Sequence, residues 1–519
     1  MTTPNHERMS SVDTAWLRMD SPGNSMMIVG VSTTATPIAP GDFRRMIEQR
    51  LLCFPRFRHR AVADPLGASW VEDDEFDLDA HVRHVVLPEP AGKAELEGLA
   101  AELASTPLDP RRPMWQFHLI ERYNGGSAWI TRVHHCYADG IAMIRVVLSM
   151  TEQDAGPALA SKPPPRHSTV ARRAGVDVLP VLSWVEQVAQ PAGDIVEHAL
   201  AEGAKLLELG IHQLFHPDRV GTLAAQAGGM VGEFAKVLAL PDDPDTPLRG
   251  ALSGFKAVAW GSPIPLHEVR TVAKVLGCTI NDVLMSTVAG ALGGYLRDRD
   301  FDTTDLKLRA SVPVNLRAAE EPLTLGNRFG LVFVEMALGL SNPLQRLYAM
   351  GDTMAALKGS MQPPMTLMTL GLMGMMPAAV QAPAIEIFSR KATAVVSNVP
   401  GPQAPLYLCG QRVTEMYFWV PQSGTIGLGI SILSYAGQVH FGVISDRKLI
   451  RQPDEVVARF APEFEKLLLA ATVGALAMRN RQAREEQQAA PTTGRGKVRQ
   501  QPSRARRTTS PARRGGGSR

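Results

Sequence analysis

Cysteine is scarce. Four in 519 residues, Cys53, Cys136, Cys278 and Cys409, lie far apart without a CxxC pair. That argues against a disulfide framework and a thiolate zinc site and fits a reducing compartment. The opening stretch MTTPNHERMSSVDTAW lacks the apolar run of a secretory signal. A bilayer-spanning run is also lacking. Residues 359–385 carry no charge, but Pro363, Pro364, Pro377 and Pro383 divide them. The unbroken piece, 365–376, makes a helix of about 18 Å against a hydrocarbon core of about 30 Å. It can line a core, a lid or a lipid surface with flexible methionines, but it cannot span. Acidic residues are missing from 491–519, where nine Lys and Arg gather. Of the net +3, that tail contributes nine positive charges, which leaves residues 1–490 at −6. A mildly acidic body speaks against specific nucleic-acid binding. The tail reads as a disordered solubilising segment able to touch anionic lipid or nucleic acid.

Hydrophobic residues make up 45% of the chain and charged ones 20%, the balance of a globular protein with a large core. The length exceeds what one core organises, so two domains are expected. A mean hydropathy of −0.05 hints at an apolar substrate.

Residues 1–153 read as a mixed α/β unit. Strands are expected at 25–33, 114–122 and 128–133, and helices at 42–52, 94–105 and 141–150. Tyr123-Asn124-Gly125-Gly126 joins two of the strands as a hairpin turn. Residues 154–249 form a connection. It opens with a Pro-rich linker at 154–192, continues with amphipathic stretches at 194–215 and 220–240, and breaks at the Pro/Asp run 241–245. A second α/β unit is expected over 250–478. Its strands fall at 255–260, 306–314, 331–337, 394–396, 411–417, 427–435 and 438–445, and its helices at 266–276, 282–297, 343–357 and 453–469. Residues 479–519 are the basic tail.

The most informative segment is Arg132–Ile141, RVHHCYADGI. A strand ends in two histidines, His134 and His135. Asp139 then stands at a helix N-cap position, and Gly140 permits a sharp turn. Such a strand-to-helix loop can aim a side chain into a cleft. Imidazole, with a pKa near ~6.5, is available as a general base for an alcohol and contributes about 10²–10⁴ in rate. Adjacent histidines chelate a metal poorly, because neighbouring strand residues point apart, and no metal site is expected. Trp115 and His118 alternate with Phe117 as strand-core residues.

HHCYADG resembles the HHxxxDG motif of coenzyme A-dependent acyltransferases. Further segments are similar to the bacterial wax ester synthase/diacylglycerol acyltransferases in particular. They are MSSVDTAWL at the start, Pro107-Leu108-Asp109 with Arg112-Pro113-Met114-Trp115, and Thr279-Ile280-Asn281-Asp282-Val283. Val312-Pro313-Val314-Asn315-Leu316-Arg317, Leu325-Gly326-Asn327-Arg328, Asn398-Val399-Pro400-Gly401-Pro402, Ser434-Tyr435 and Phe441-Gly442 complete the series. One departure is Gly429, where the family pattern leads one to expect Asn.

The resemblance implies an α/β (α+β) fold of two chloramphenicol-acetyltransferase-like domains with an active-site tunnel at their interface. It implies acyl-CoA as substrate, no cofactor, and diacylglycerol or a fatty alcohol as acceptor. His135 would be the base, without an acyl-enzyme, and His134 would support its loop. Asp139 would pair with an arginine, for which Arg317 is the candidate. Asn281 would stabilise the oxyanion or else cap the helix starting at Asp282. Gly140, Arg317 and Asp282 would support the site. The expected location is cytoplasmic, peripheral to the inner membrane or a lipid inclusion. Two other readings remain open at this stage: a carrier-protein-dependent or condensation-type acyltransferase, and a non-catalytic lipid-inclusion binding protein.

Overall fold

A computed structural model describes residues 7–21, 23–65, 67–152, 240–317, 325–358, 360, 362–375 and 378–489. The linker at 154–192, the amphipathic stretch at 194–215, all but the last residue of that at 220–240, and the tail beyond 489 lie outside the described residues. The chain divides into a compact unit, Met1–Ala471, and a second, Thr472–Arg519.

The first half contains β1 (Glu7–Arg8), α1 (Ser11–Arg18), β2 (Met27–Thr34), α2 (Pro40–Met46), β3 (His59–Asp64), β4 (Gly67–Glu72), α3 (Leu78–His81), β5 (Val82–Val85), α4 (Lys93–Ser105), β6 (Trp115–Tyr123), β7 (Gly126–His134) and α5 (Gly140–Met150). The second half continues with β8 (Lys256–Trp260), β9 (Ile264–Pro265), α6 (Leu266–Leu276), α7 (Ile280–Arg297), β10 (Lys307–Asn315), β11 (Phe329–Ala337), α8 (Pro343–Leu357), α9 (Gln362–Met375) and α10 (Ala378–Ser389). It ends with β12 (Ala394–Pro400), β13 (Tyr407–Leu408), β14 (Gln411–Trp419), β15 (Leu428–Tyr435), β16 (Gln438–Asp446) and α11 (Asp454–Ala489).

Local chemistry explains several of these elements. Asn124 and Gly125 both have positive φ, 48° and 82°, which a two-residue hairpin turn between β6 and β7 demands. A left-handed Gly277 ends α6. The helix expected over 42–52 is α for its first part only and then becomes a π turn, Ile47–Leu51.

Two mixed sheets form the body. The first runs β13-β14-β2-β7-β6-β5, and the second β11-β10-β12-β15-β16-β8, with β9 paired to β16. The division at 250 therefore needs correction. β13 and β14 belong by sequence to the second half but complete the first sheet, where Tyr417 faces Val31 and Trp419 faces Val29 across β2. The exposed edge of β2 needs a partner. The buried rings of Tyr417 and Trp419 then meet Trp260 of the second sheet, at centroid distances of 5.2 and 6.0 Å. Alternation in sequence reveals a strand but not the edge it joins.

The described part of the uncharged segment is largely packed inside the protein. In α9, Met365, Leu367, Leu370 and Met373 are buried, and the helix packs between α1 and β11. Among the described residues no single helix is long and apolar enough to cross a membrane. The α1–α9 contact is close enough that a Cβ on Gly374 would collide with the Ser11 carbonyl. Replacing Gly374 with Ala is expected to destabilise the protein by about 1–3 kcal/mol, read as a lower Tm, and to reduce activity because α1 contacts the site described next.

Candidate active site

β7 delivers the histidine pair. Met27 of β2 faces His134 in the ladder, and the His135 N–H continues it by donating to the Met26 carbonyl at 2.7 Å. Neighbouring residues on an extended chain point to opposite sides, and the two histidines do so. His134 Nδ1 accepts the Cys136 N–H at 3.2 Å, which puts its proton on Nε2, 3.2 Å from Asp20 Oδ2. Asp20 also receives the Met26 N–H at 2.5 Å. His134 thus braces its loop.

His135 turns the other way. Its ring stacks on Trp16 of α1, with centroids 4.1 Å apart, and lies 5.6 Å from Phe329 of β11. The residue is only 3% exposed. Burial holds the imidazole pKa down at about 4, against the opposing pull of Asp139, so the ring is neutral at physiological pH. Nδ1 makes no hydrogen bond to a described residue.

The ring nevertheless lines a cleft of about 1220 Å³, part of it open to solvent. Trp16, Asp139, Gly140 and Ile141 come to its wall from the first half. Asn281, Met285, Phe329, Leu331, Met354, Val395 and Asn398 are among those from the second. The wall is predominantly apolar.

Asp139 caps α5, accepting the Ala142 N–H at 2.9 Å. Its other oxygen pairs with Arg317 Nη1 and accepts the Arg328 N–H at 2.9 Å. Arg317 also donates to the Gly326 carbonyl at 2.7 Å. Asp139 and Arg317 are both buried. The expected pair is therefore present, and it joins the motif loop to the chain after β10.

Asn281 requires one correction. Thr279, not Asn281, caps α7. Its hydroxyl accepts the Asp282 N–H at 3.1 Å while the Asp282 carboxylate accepts the Thr279 N–H at 2.8 Å. Asp282 thus supports the helix end, and Asn281, one residue earlier, is left to face the cleft. Its Oδ1 accepts from Asn398 Nδ2 at 2.5 Å.

Gly140 requires another. It has no positive φ and simply opens α5; an added Cβ would meet open space. Its contribution is room in the cleft beside His135. Gly429 also has a physical account. A Cβ there would come within 2.6 Å of Gln422 Nε2 and 2.7 Å of Ile444, so buried Gln422 occupies the space an Asn side chain would need.

Sequence reasoning passed over Asp13, Trp16 and Asn327 as functional residues. Asp13 Oδ1 accepts both the Asn327 N–H, at 3.0 Å, and Asn327 Nδ2, at 2.8 Å. Asn327 Nδ2 also donates to the His135 carbonyl at 2.8 Å. The matched segments MSSVDTAWL and LGNR contain all three residues, but nothing in the sequence indicates that they converge.

Removing the Asp139 carboxylate by Asp139→Ala deletes a cap and strands a buried guanidinium. The expected cost is about 3–5 kcal/mol, measurable by denaturant or thermal unfolding and larger than the ~1 kcal/mol of a cap alone.

Comparison with known proteins gives a consistent picture. The wax ester synthase/diacylglycerol acyltransferase catalytic domain family matches residues 9–284, and the C-terminal domain of the same family matches 325–468. A Mycobacterium tuberculosis protein named as a diacylglycerol O-acyltransferase is 30% identical over 497 residues, covering 89% of this chain and 97% of that one. The structure of a wax ester synthase/diacylglycerol acyltransferase from Marinobacter aquaeolei VT8 superposes with a TM-score of 0.61 at 23% identity, over 90% of this chain and all of that one. The first condensation domain of the calcium-dependent antibiotic synthetase shares the fold at a TM-score of 0.55 and 14% identity, over 90% of this chain and 96% of that one.

Proposed function

Because the chain belongs to the wax ester synthase/diacylglycerol acyltransferase family, we propose that it moves a long-chain acyl group from acyl-CoA to the free hydroxyl of diacylglycerol, and also to long-chain fatty alcohols, with His135 as general base. The observation that carries this reading is a neutral imidazole lining a mainly apolar cleft that both halves of the chain wall.

With Nδ1 sealed inside the protein, Nε2 is the nitrogen left for substrate. It takes the acceptor's hydroxyl proton as the oxygen attacks the thioester carbonyl. The negative charge that develops on the carbonyl oxygen needs a donor. Asn281 supplies one: Asn398 occupies its Oδ1, so its NH₂ is free for the cleft. One such positioned donor is worth about 3–4 kcal/mol. Collapse of the tetrahedral adduct breaks the C–S bond, and the imidazolium returns its proton to the departing CoA thiolate. No acyl-enzyme forms. Asp139, engaged by Ala142, Arg317 and Arg328, holds the loop instead of taking protons.

Apolar walls suit an acyl chain, and an acceptor insoluble in water implies work at a membrane or lipid-inclusion surface. The family match favours acyl-CoA over carrier-protein donors, and the intact base and clamp favour catalysis over passive lipid binding.

His135→Ala is expected to lower kcat by about 10²–10⁴-fold with circular dichroism unchanged; undiminished ester formation would remove His135 as base. Thin-layer separation of products from labelled palmitoyl-CoA, offered with dipalmitoylglycerol and hexadecanol together, reads the acceptor. Triacylglycerol should dominate over wax ester. The pH profile gives a further check. A base with a folded pKa of about 4 stays unprotonated down to that region, so kcat/KM should hold through pH 6.5 and fall only well below it.

A further inference from the structure

Among the buried polar atoms around the site that have no hydrogen bond to a described residue are His135 Nδ1 and Asn327 Oδ1; Trp16 Nε1 and His134 Nε2 are others. An unsatisfied buried group costs about 1–3 kcal/mol. His135 and Asn327 already touch, through the bond from Asn327 Nδ2 to the His135 carbonyl. The orientation of the Asn327 amide follows from its partners. The Asp13 carboxylate and the His135 carbonyl both accept from Nδ2, so the NH₂ must face them and the oxygen must face away. The backbone enters this arrangement through Gly326 at φ 114°, a conformation that other residues rarely adopt.

We propose that Asn327 is the positioning residue of the base: its Oδ1 receives the Nδ1 proton of His135 in the working complex, fixes that tautomer, and leaves the Nε2 lone pair directed at the acceptor hydroxyl. Asp13 in turn fixes Asn327, so a carboxylate on α1 sets the base through an amide delivered from the other half of the chain. Catalytic hydrogen bonds that are open in an unliganded site commonly close when substrate binds. The Asn327 side chain and the ring's own main-chain carbonyl both favour the protonated ring, as does Asp139, while burial and His134 oppose it. Trp16 and Phe329, packed on the ring, carry no charge.

This inference rests on the assignment of His135 as base, and the test separates the two. The full-length protein is assayed with palmitoyl-CoA and dipalmitoylglycerol, and histidine ¹⁵N resonances are recorded, with His135→Gln identifying the ring. Wild type should show Nδ1 protonated and Nε2 bare. Asn327→Ala should lose that single tautomer and lower kcat by at least about 10-fold, within the range of about 10–10⁴ spanned by partners that orient a histidine, with little change in KM. Asn327→Gln keeps both the NH₂ that Asp13 and the His135 carbonyl require and an acceptor oxygen, whereas Asn327→Leu fills the space with neither. Gln should restore the single tautomer and part of kcat and Leu should not, a split that a purely space-filling role would not produce. Nδ1 found unprotonated in wild type, wild-type kcat in Asn327→Ala, or the same tautomer and kcat in Asn327→Gln and Asn327→Leu would each overturn the proposal. Should His135→Ala also form ester at the wild-type rate, the base assignment itself falls; loss there with normal Asn327 variants sinks only this inference.

Discussion

A short piece of the second half, residues 325–328, lies against the histidine loop of the first, and the site depends on that contact. The Gly326 N–H donates to the Tyr137 carbonyl at 3.0 Å, and the Gly326 carbonyl accepts the Asp139 N–H at 3.3 Å. Around this strand-like bridge sit the buried Asp139–Arg317 pair and the bonds of Asn327 to Asp13 and to the His135 carbonyl. Burying two opposite charges costs desolvation that their attraction must repay, so such a pair survives only with its hydrogen bonds met. Here both oxygens of Asp139 are engaged. The arrangement therefore fixes geometry more than it adds stability. The loop can hold its shape only while the two halves are in register.

The same contact explains the protonation state of His135. A histidine on an open loop would titrate near ~6.5. Between Trp16 and Phe329 it is removed from water and stays neutral far below that. Trp16 comes from α1 and Phe329 from β11, so the enclosure again needs both halves. His134 and His135, adjacent in the chain, acquire separate roles because one ring goes to Asp20 and the other into the cleft.

Several particulars were legible beforehand because they depend on neighbours in sequence. The Asn124-Gly125 turn between two alternating strands is one; its backbone needs are local. The cap at Asp139 is another, since the side chain reaches an N–H only three residues on. The cap of α7 shows where local reasoning slips. Asn281 and Thr279 are both competent caps, and the reciprocal bond from Asp282 favours Thr279. Gly429 shows a different failure. Its neighbour Gln422 fills the vacant space, and no pattern in either segment announces the exchange.

The sequence by itself determined many of the longer strands and helices, the histidine loop with its capped helix, and the family, since each is set by spacing along the chain. Only the tertiary structure decided which sheet receives β14, that α9 is buried between α1 and β11, and that Trp16, Phe329 and the bonded pair Asp13–Asn327 converge on His135. Those outcomes turn on which apolar faces and unpaired polar groups satisfy one another across hundreds of residues, and that choice is made by the whole packed molecule rather than by any segment of it.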